Sequence, residues 1–227
     1  MREGFHTDID DLLARLVATG AVCDRMLEHA LHALIAPGAP GAAGVIASDN
    51  EVDAAYQDIQ QRLLGLFALQ APVASDLRLL AAMLHANIHV ERLGDYAAHV
   101  AKMAEVASHL DEEPELATRL EEMGLAAVHV SRAALRSLAQ RDVALARRLP
   151  DLDDRVDALN IEIFRRLVQL AGRDERRLEW ATHMIVVARS LERYGDHAVD
   201  IGEQTIYAVT GQTVELSSND PRARSIW

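Results

Sequence analysis

Eight acidic side chains, set in four pairs, are the groups in this 227-residue sequence best placed to do chemistry together. Asp49 and Asp53, Glu91 and Asp95, Asp153 and Asp157, and Glu192 and Asp196 each stand four residues apart. On a helix that spacing puts both carboxylates of a pair on one face, and like charges so placed cost an isolated helix roughly 0.2–0.5 kcal/mol. Residues at equal height on two antiparallel helices have numbers that add to a constant. The first two pairs share the constant 144, joining 49 to 95 and 53 to 91 around Pro72; the last two share 349, centred between Asp174 and Glu175. Four carboxylates are therefore expected to meet at one height in each half of the chain. Neighbours a few ångströms apart there repel by about 4 kcal/mol at an effective dielectric near 20.

Cations are the expected compensation. An all-oxygen ligand set suits Mg²⁺, Ca²⁺, Mn²⁺ or iron, and bridging carboxylates suit more than one ion per site. His99 and Asp200, four residues beyond Asp95 and Asp196, extend each set by a helical turn. Arg92 and Arg193 offer the competing explanation, neutralising adjacent acids as ion pairs. His85 and His89 have the four-residue spacing of helical zinc ligands, but they lie off the face of Glu91 with no acidic third ligand and read as structural or surface side chains. Gly94 and Gly195 are costly in mid-helix and read as points of close helix approach.

These residues must be carried by helices. Apolar side chains recur at three- and four-residue steps through Ile9, Leu13, Leu16, Cys23, Leu27 and Leu34, and again through Leu116, Leu120, Met123, Ala127, Val130 and Leu138. Further stripes run through Leu152, Val156, Leu159, Ile163 and Leu167, and through Met184, Ala188, Leu191, Ala198 and Thr205. Breaks fall at the Pro- and Gly-rich residues 37–41, at Pro72, at Asp111-Glu112-Glu113-Pro114 and near Gly172, and Gly211 is placed to cap the last helix. The third and sixth helices carry near-copies of one string: Glu91-Arg92-Leu93-Gly94-Asp95 returns 101 residues later as Glu192-Arg193-Tyr194-Gly195-Asp196. Asp49-x-x-Val52-Asp53 returns 104 residues later as Asp153-x-x-Val156-Asp157. The expected fold is all-α, two tandem three-helix bundles made by duplication, with repeats at 1–108 and 109–211 and a flexible tail at 212–227.

Composition narrows the function. Thirty-five acidic against 23 basic side chains give a net charge of −12, which repels phosphodiester backbones, and no basic patch is apparent along the chain; nucleic-acid binding is not expected. One cysteine, a polar N-terminus and no apolar run long enough to span a bilayer point to a cytoplasmic protein. Three classes compete: a binding adaptor, a metal-dependent enzyme such as a phosphohydrolase or di-iron oxidase, and a helical scaffold. The enzyme lacks its usual motifs. The Glu-x-x-His of Glu3 and His6 lies outside the acidic sets, and neither a nucleophile in motif context nor a Gly-rich phosphate loop appears.

The twin strings, together with Gln70-x-Pro72-Val73-Ala74-x-Asp76-Leu77-Arg78, resemble the PhoU family of phosphate-signalling regulators from the first helix to about Gly211. The chain departs from the family pattern at residues 37–41, and His99 and Asp200 stand where the family often has Asn. The resemblance implies two three-helix bundles and multinuclear carboxylate-bound clusters of iron or zinc at Asp49, Asp53, Glu91, Asp95, Asp153, Asp157, Glu192 and Asp196. It also implies a homodimeric, non-enzymatic negative regulator beside the ATPase subunit of a phosphate ABC transporter and a membrane sensor histidine kinase, peripheral to the inner face of the membrane through those partners.

Overall fold

The stripes become six long helices in a computed structural model, which describes residues 2–36 and 42–216. They are α1 (Arg2–Ile35), α2 (Ala42–Gln70), α3 (Ala74–Ala107), α4 (Pro114–Gln140), α6 (Leu149–Arg173) and α7 (Leu178–Thr210); between α4 and α6 lies a single turn, α5 (Val143–Ala146). Among the described residues every regular element is helical, and the all-α fold of two three-helix bundles stands. The break expected at residues 37–41 lies outside the described residues, as do residues 217–227 of the tail. At the near end of that tail Leu216 donates its backbone N–H to Glu203 Oε1 at 2.7 Å.

Local chemistry explains where the helices stop. Pro114 opens α4 at the first turn, where its missing N–H costs nothing. Asp142 caps α5, accepting the Leu145 N–H at 3.0 Å. Gly211 closes α7 in the left-handed region at φ 75°, donating its N–H to Tyr207 O at 2.9 Å. The α2–α3 hairpin turns at Pro72 as expected, and it holds Ala71 and Ala74 at φ 42° and 51°, where a Cβ is normally avoided.

The stripes face inward as their period requires: Ile9, Leu16, Leu27, Leu120, Met123, Val156, Leu159, Met184 and Leu191 are all buried. α1, α2 and α3 pack on one another, as do α4, α6 and α7, and the halves join broadly along α3 against α7 and α1 against α4. One core therefore runs through both.

At the α1–α4 seam a Cβ on Gly20 would lie 2.6 Å from Leu135 Cδ2, and one on Gly124 would lie 2.5 Å from Leu31 Cδ1. Gly124 and Leu135 are the counterparts of Gly20 and Leu31 at the 104-residue offset, so each half offers a glycine hole to the other half's leucine. Gly124→Ala sets an overpacking cost of about 1–3 kcal/mol against a helix-propensity gain of about 1 kcal/mol. The expected net is a loss of about 1 kcal/mol, read from the urea midpoint; an unchanged or higher midpoint would refute this packing.

No helix among the described residues is long and apolar enough to cross a membrane.

Candidate functional site

Each half brings its four acids to one level. In the first, α2 supplies Asp49 and Asp53 and α3 supplies Glu91 and Asp95; a Cβ on Gly94 would sit 3.6 Å from Asp49 Oδ1 and 3.0 Å from Val52 Cγ1. In the second, α6 supplies Asp153 and Asp157 and α7 supplies Glu192 and Asp196, and a Cβ on Gly195 would come within 2.3 Å of Asp153 Oδ1. The glycine before each second aspartate therefore lets the facing helix approach until its aspartate lies against bare backbone. This is the close approach expected of Gly94 and Gly195, and it matches the antiparallel register.

Proximity and burial act on the carboxyl groups together. Burial first, then the charges of Asp53 and Asp95, raises the pKa of Asp49; burial and Asp95 raise that of Glu91. The second half is the more extreme. Asp153 is 6% exposed, and desolvation followed by Asp157, Asp196 and Glu192 pushes its pKa well above the ordinary aspartate range. Desolvation and Asp196 raise Glu192 to about 7, and burial raises Asp196. Asp49 Oδ1, Asp153 Oδ1 and Glu192 Oε2 are buried with no hydrogen-bond partner among the described residues. A proton on these groups removes the charge that burial disfavours.

The expected multinuclear clusters of iron or zinc, with Mg²⁺, Mn²⁺ or Ca²⁺ as alternatives, do not fit this arrangement. Among the described residues, the one set of three His, Cys, Asp or Glu ligand atoms lying within 4.8 Å of one another is His89, His197 and Asp200. Of the expected ligands that trio contains Asp200 alone, so neither set of four carboxylates converges as a bridged cluster demands. The repulsion is met by other means. Arg92 pairs with Asp95 at 2.8 Å and with Glu91 at 3.5 Å. Arg189 pairs with Glu192 at 2.7 Å, and Arg193 reaches Asp196 at 3.5 Å and Glu192 at 4.0 Å. The cations expected between these acids are guanidinium groups from the same helices, supplemented by protons.

His99 and Asp200 leave the acid sets for the seam between halves. His99 Nδ1 lies 3.1 Å from Ser190 Oγ of α7. Asp200 Oδ2 lies 3.3 Å from both His89 Nδ1 and His197 Nδ1, which are themselves 3.0 Å apart, with Tyr96 stacked on the His197 ring. Burial holds the pKa of His89 below its ordinary value against the pull of Asp200. The trio can share protons across α3 and α7, a link that sequence spacing on His85 and His89 alone did not reveal. Deeper in the seam, Tyr194 of α7 donates its hydroxyl to Asp24 Oδ1 of α1 at 2.8 Å, with Arg132 Nε of α4 3.6 Å from the other carboxylate oxygen. Cys23 is buried beside them and donates to Val90 O at 3.4 Å; burial pushes its thiol far up, so it is not a nucleophile.

A family model described as PhoU domain matches the chain twice, at residues 16–104 and 120–205, one match in each half. A phosphate-specific transport system accessory protein PhoU homolog of Deinococcus radiodurans is 36% identical over 93% of this chain and 99% of its own length. The homolog of that name from Zymomonas mobilis is 30% identical over 92% of this chain and 88% of its own. The crystal structure of PhoU from Pseudomonas aeruginosa superimposes with a TM-score of 0.81 at 29% identity, covering 92% of this chain and all of that one. A crystal structure of the phosphate transport system regulatory protein PhoU from Streptococcus pneumoniae shares the fold, with a TM-score of 0.82 at 22% identity. With both halves matched, both twin strings in register and relatives aligned over nearly their full length, this chain belongs to the PhoU family.

Proposed function

We propose that this chain, a regulatory adaptor of phosphate homeostasis, lowers phosphate-starvation signalling and phosphate uptake by contacting two proteins: the ATPase subunit of a phosphate ABC transporter and a sensor histidine kinase. The observation that carries the reading is the end-to-end likeness to phosphate-transport accessory proteins across both repeats. The family is regulatory and non-catalytic, and the chemistry described above agrees: Glu91, Asp95, Glu192 and Asp196 are paired with arginines and the one thiol is buried. We take residues 1–108 and 109–211 as the two repeats and a homodimer as the working assembly, held at the inner face of the membrane by its partners.

The hairpins α2–α3 and α6–α7 are the surfaces we assign to partner contact. Asp95 and Asp196 keep 40% of their side chains exposed beside their arginines, which suits basic cytoplasmic segments of membrane proteins. Exposed charges are screened within about 8 Å at physiological salt, so binding weakens as salt rises. In a titration against the purified ATPase subunit and the cytoplasmic part of the kinase, affinity should fall on the order of tenfold between about 0.05 M and 0.3 M salt. Binding to neither protein overturns the partner assignment.

A further inference from the structure

An acidic molecule carries one groove whose charge is reversed. Between residues 129 and 148 there are five arginines and a single carboxylate, Asp142, in a chain of net charge −12. α4 presents Arg132 and Arg136, both exposed, one turn apart on one face, and the entry to α6 adds Arg148. Two adjoining cavities of about 270 and 410 Å³ open there, and Arg136, Leu145 and Arg148 line both.

Two of the three charges are not used internally. Arg132 is engaged by Glu28 at 2.7 Å and Asp24 at 3.6 Å, but Arg136 and Arg148 make no ion pair among the described residues. Asp142 lines the larger cavity and sets one carboxylate against these arginines, but among the described residues it forms no ion pair with them and accepts the Leu145 N–H instead. The floor between the guanidinium groups is apolar, formed by buried Ala133 and half-buried Leu145 and Leu152. Nor does the duplication require them. At the 104-residue offset that relates the glycine–leucine seam, Arg132, Arg136 and Arg148 correspond to Glu28, His32 and Gly44.

We propose that this groove between α4, α5 and the start of α6 is a docking site for an acidic segment of a partner protein that carries apolar residues among its carboxylates. The inference rests on the adaptor reading above and adds a second surface of opposite sign to it. Charge complementarity selects the acid: Arg136 and Arg148 are free donors for carboxylates, and the negative surface around them repels an acidic segment elsewhere and so confines it to this groove. The apolar floor selects a peptide over a free oxyanion, which gains nothing from Leu145 and Leu152. Nucleic acid is disfavoured by number, since two or three phosphate contacts contribute little against the repulsion of the remaining surface.

The test is fluorescence anisotropy on the full chain with a labelled peptide of alternating Glu and Leu. Its Gln-for-Glu twin serves as the uncharged control, with inorganic phosphate and a single-stranded DNA as competitors. The peptide should bind, its affinity should drop at least about tenfold in Arg136→Glu/Arg148→Glu, and Arg173→Glu on the far end of α6 should leave it unchanged. Circular dichroism checks the fold, and Arg136→Gln/Arg148→Gln, expected to weaken binding in the same direction, replaces the charge reversal if that variant misfolds. No binding by the parent, equal binding in the arginine variants, equal binding of the Gln twin, or displacement by phosphate or DNA at concentrations equal to the peptide's each overturns the proposal. Failure here alongside derepression on gene deletion removes the groove and leaves the adaptor; intact peptide binding without derepression does the reverse.

Discussion

Asp153→Asn combined with Glu192→Gln is expected to stabilise the protein at pH 8 by roughly 2 kcal/mol or more, while changing its stability little at pH 4.5. The Glu192 carboxyl titrates near 4.5 when unfolded and near 7 when folded. A raised acid binds its proton more tightly in the folded state, so stability is full below about pH 4.5 and is lost as pH rises through 7. The full shift corresponds to about 3 kcal/mol, reduced to roughly 2 because the side chain is still partly solvated. Asp153 acts in the same direction and is buried more deeply, and Asp49, Glu91 and Asp196 add smaller contributions of that sign. His89 opposes them, since a histidine held below its ordinary pKa loses stability as pH falls beneath about 6.5. With Asp24 and Glu203 also raised, seven carboxyls stand against one imidazole. The lowered Glu122 and Asp174 act only below the ordinary carboxylate range, so the parent is more stable at pH 5 than at pH 8. Urea unfolding at the two pH values checks this, and a double variant less stable than the parent at pH 8 would show that these charges are favourable where they stand.

Tyr194→Phe is expected to cost about 2–3 kcal/mol and to lower Tm by roughly 4–12 °C. The change removes one oxygen from a fully buried ring whose hydroxyl donates to Asp24. Asp24 is 2% exposed, so its carboxylate cannot turn to water, and without the tyrosine it keeps a 3.6 Å contact with Arg132. Losing a donor to a buried carboxylate costs more than losing a neutral bond, because the acceptor stays desolvated. The pair also breaks the pseudo-symmetry of the seam. At offsets of 101 and 104 the counterparts of Tyr194 and Asp24 are Leu93 and Val128, both buried and apolar. Asp24→Val removes the acceptor and sets an apolar side chain against the ring, so Tyr194→Phe in that background should cost far less than in the parent. Equal costs in both backgrounds, measured by thermal unfolding, would mean that the hydroxyl does not act through Asp24.

The level of the acids was legible because it needs only helical period, one turn position and antiparallel arithmetic, and Gly94 and Gly195 pointed to the approach that brings Asp49 and Asp153 against the facing helix. The compensation was misjudged although its parts stood in the same strings: Arg92 and Arg193 lie three residues before Asp95 and Asp196, within one helical turn. Weighing repulsion between four full charges also overlooked burial, which raises the pKa of the most crowded carboxyls and so favours their protonated form.

The seam was hidden for a different reason. Gly20, Leu31, Gly124 and Leu135 each look ordinary, and their meeting depends on which face of α1 turns to α4. His89 and His197 are 108 residues apart and join only when α3 packs on α7. The arginine groove escaped notice because Arg136 and Arg148 are separated in sequence by the turn α5 and followed by Asp151, Asp153 and Asp154. In space those acids do not line the cavities that the arginines share.

The role as a repressor of phosphate-starvation signalling is tested most directly by deleting the gene and measuring a phosphate-starvation reporter in phosphate-rich medium, in a strain with no second gene of this family. The account predicts that the reporter rises and that restoring the intact chain lowers it again. A reporter that stays repressed in the deletion strain would contradict it.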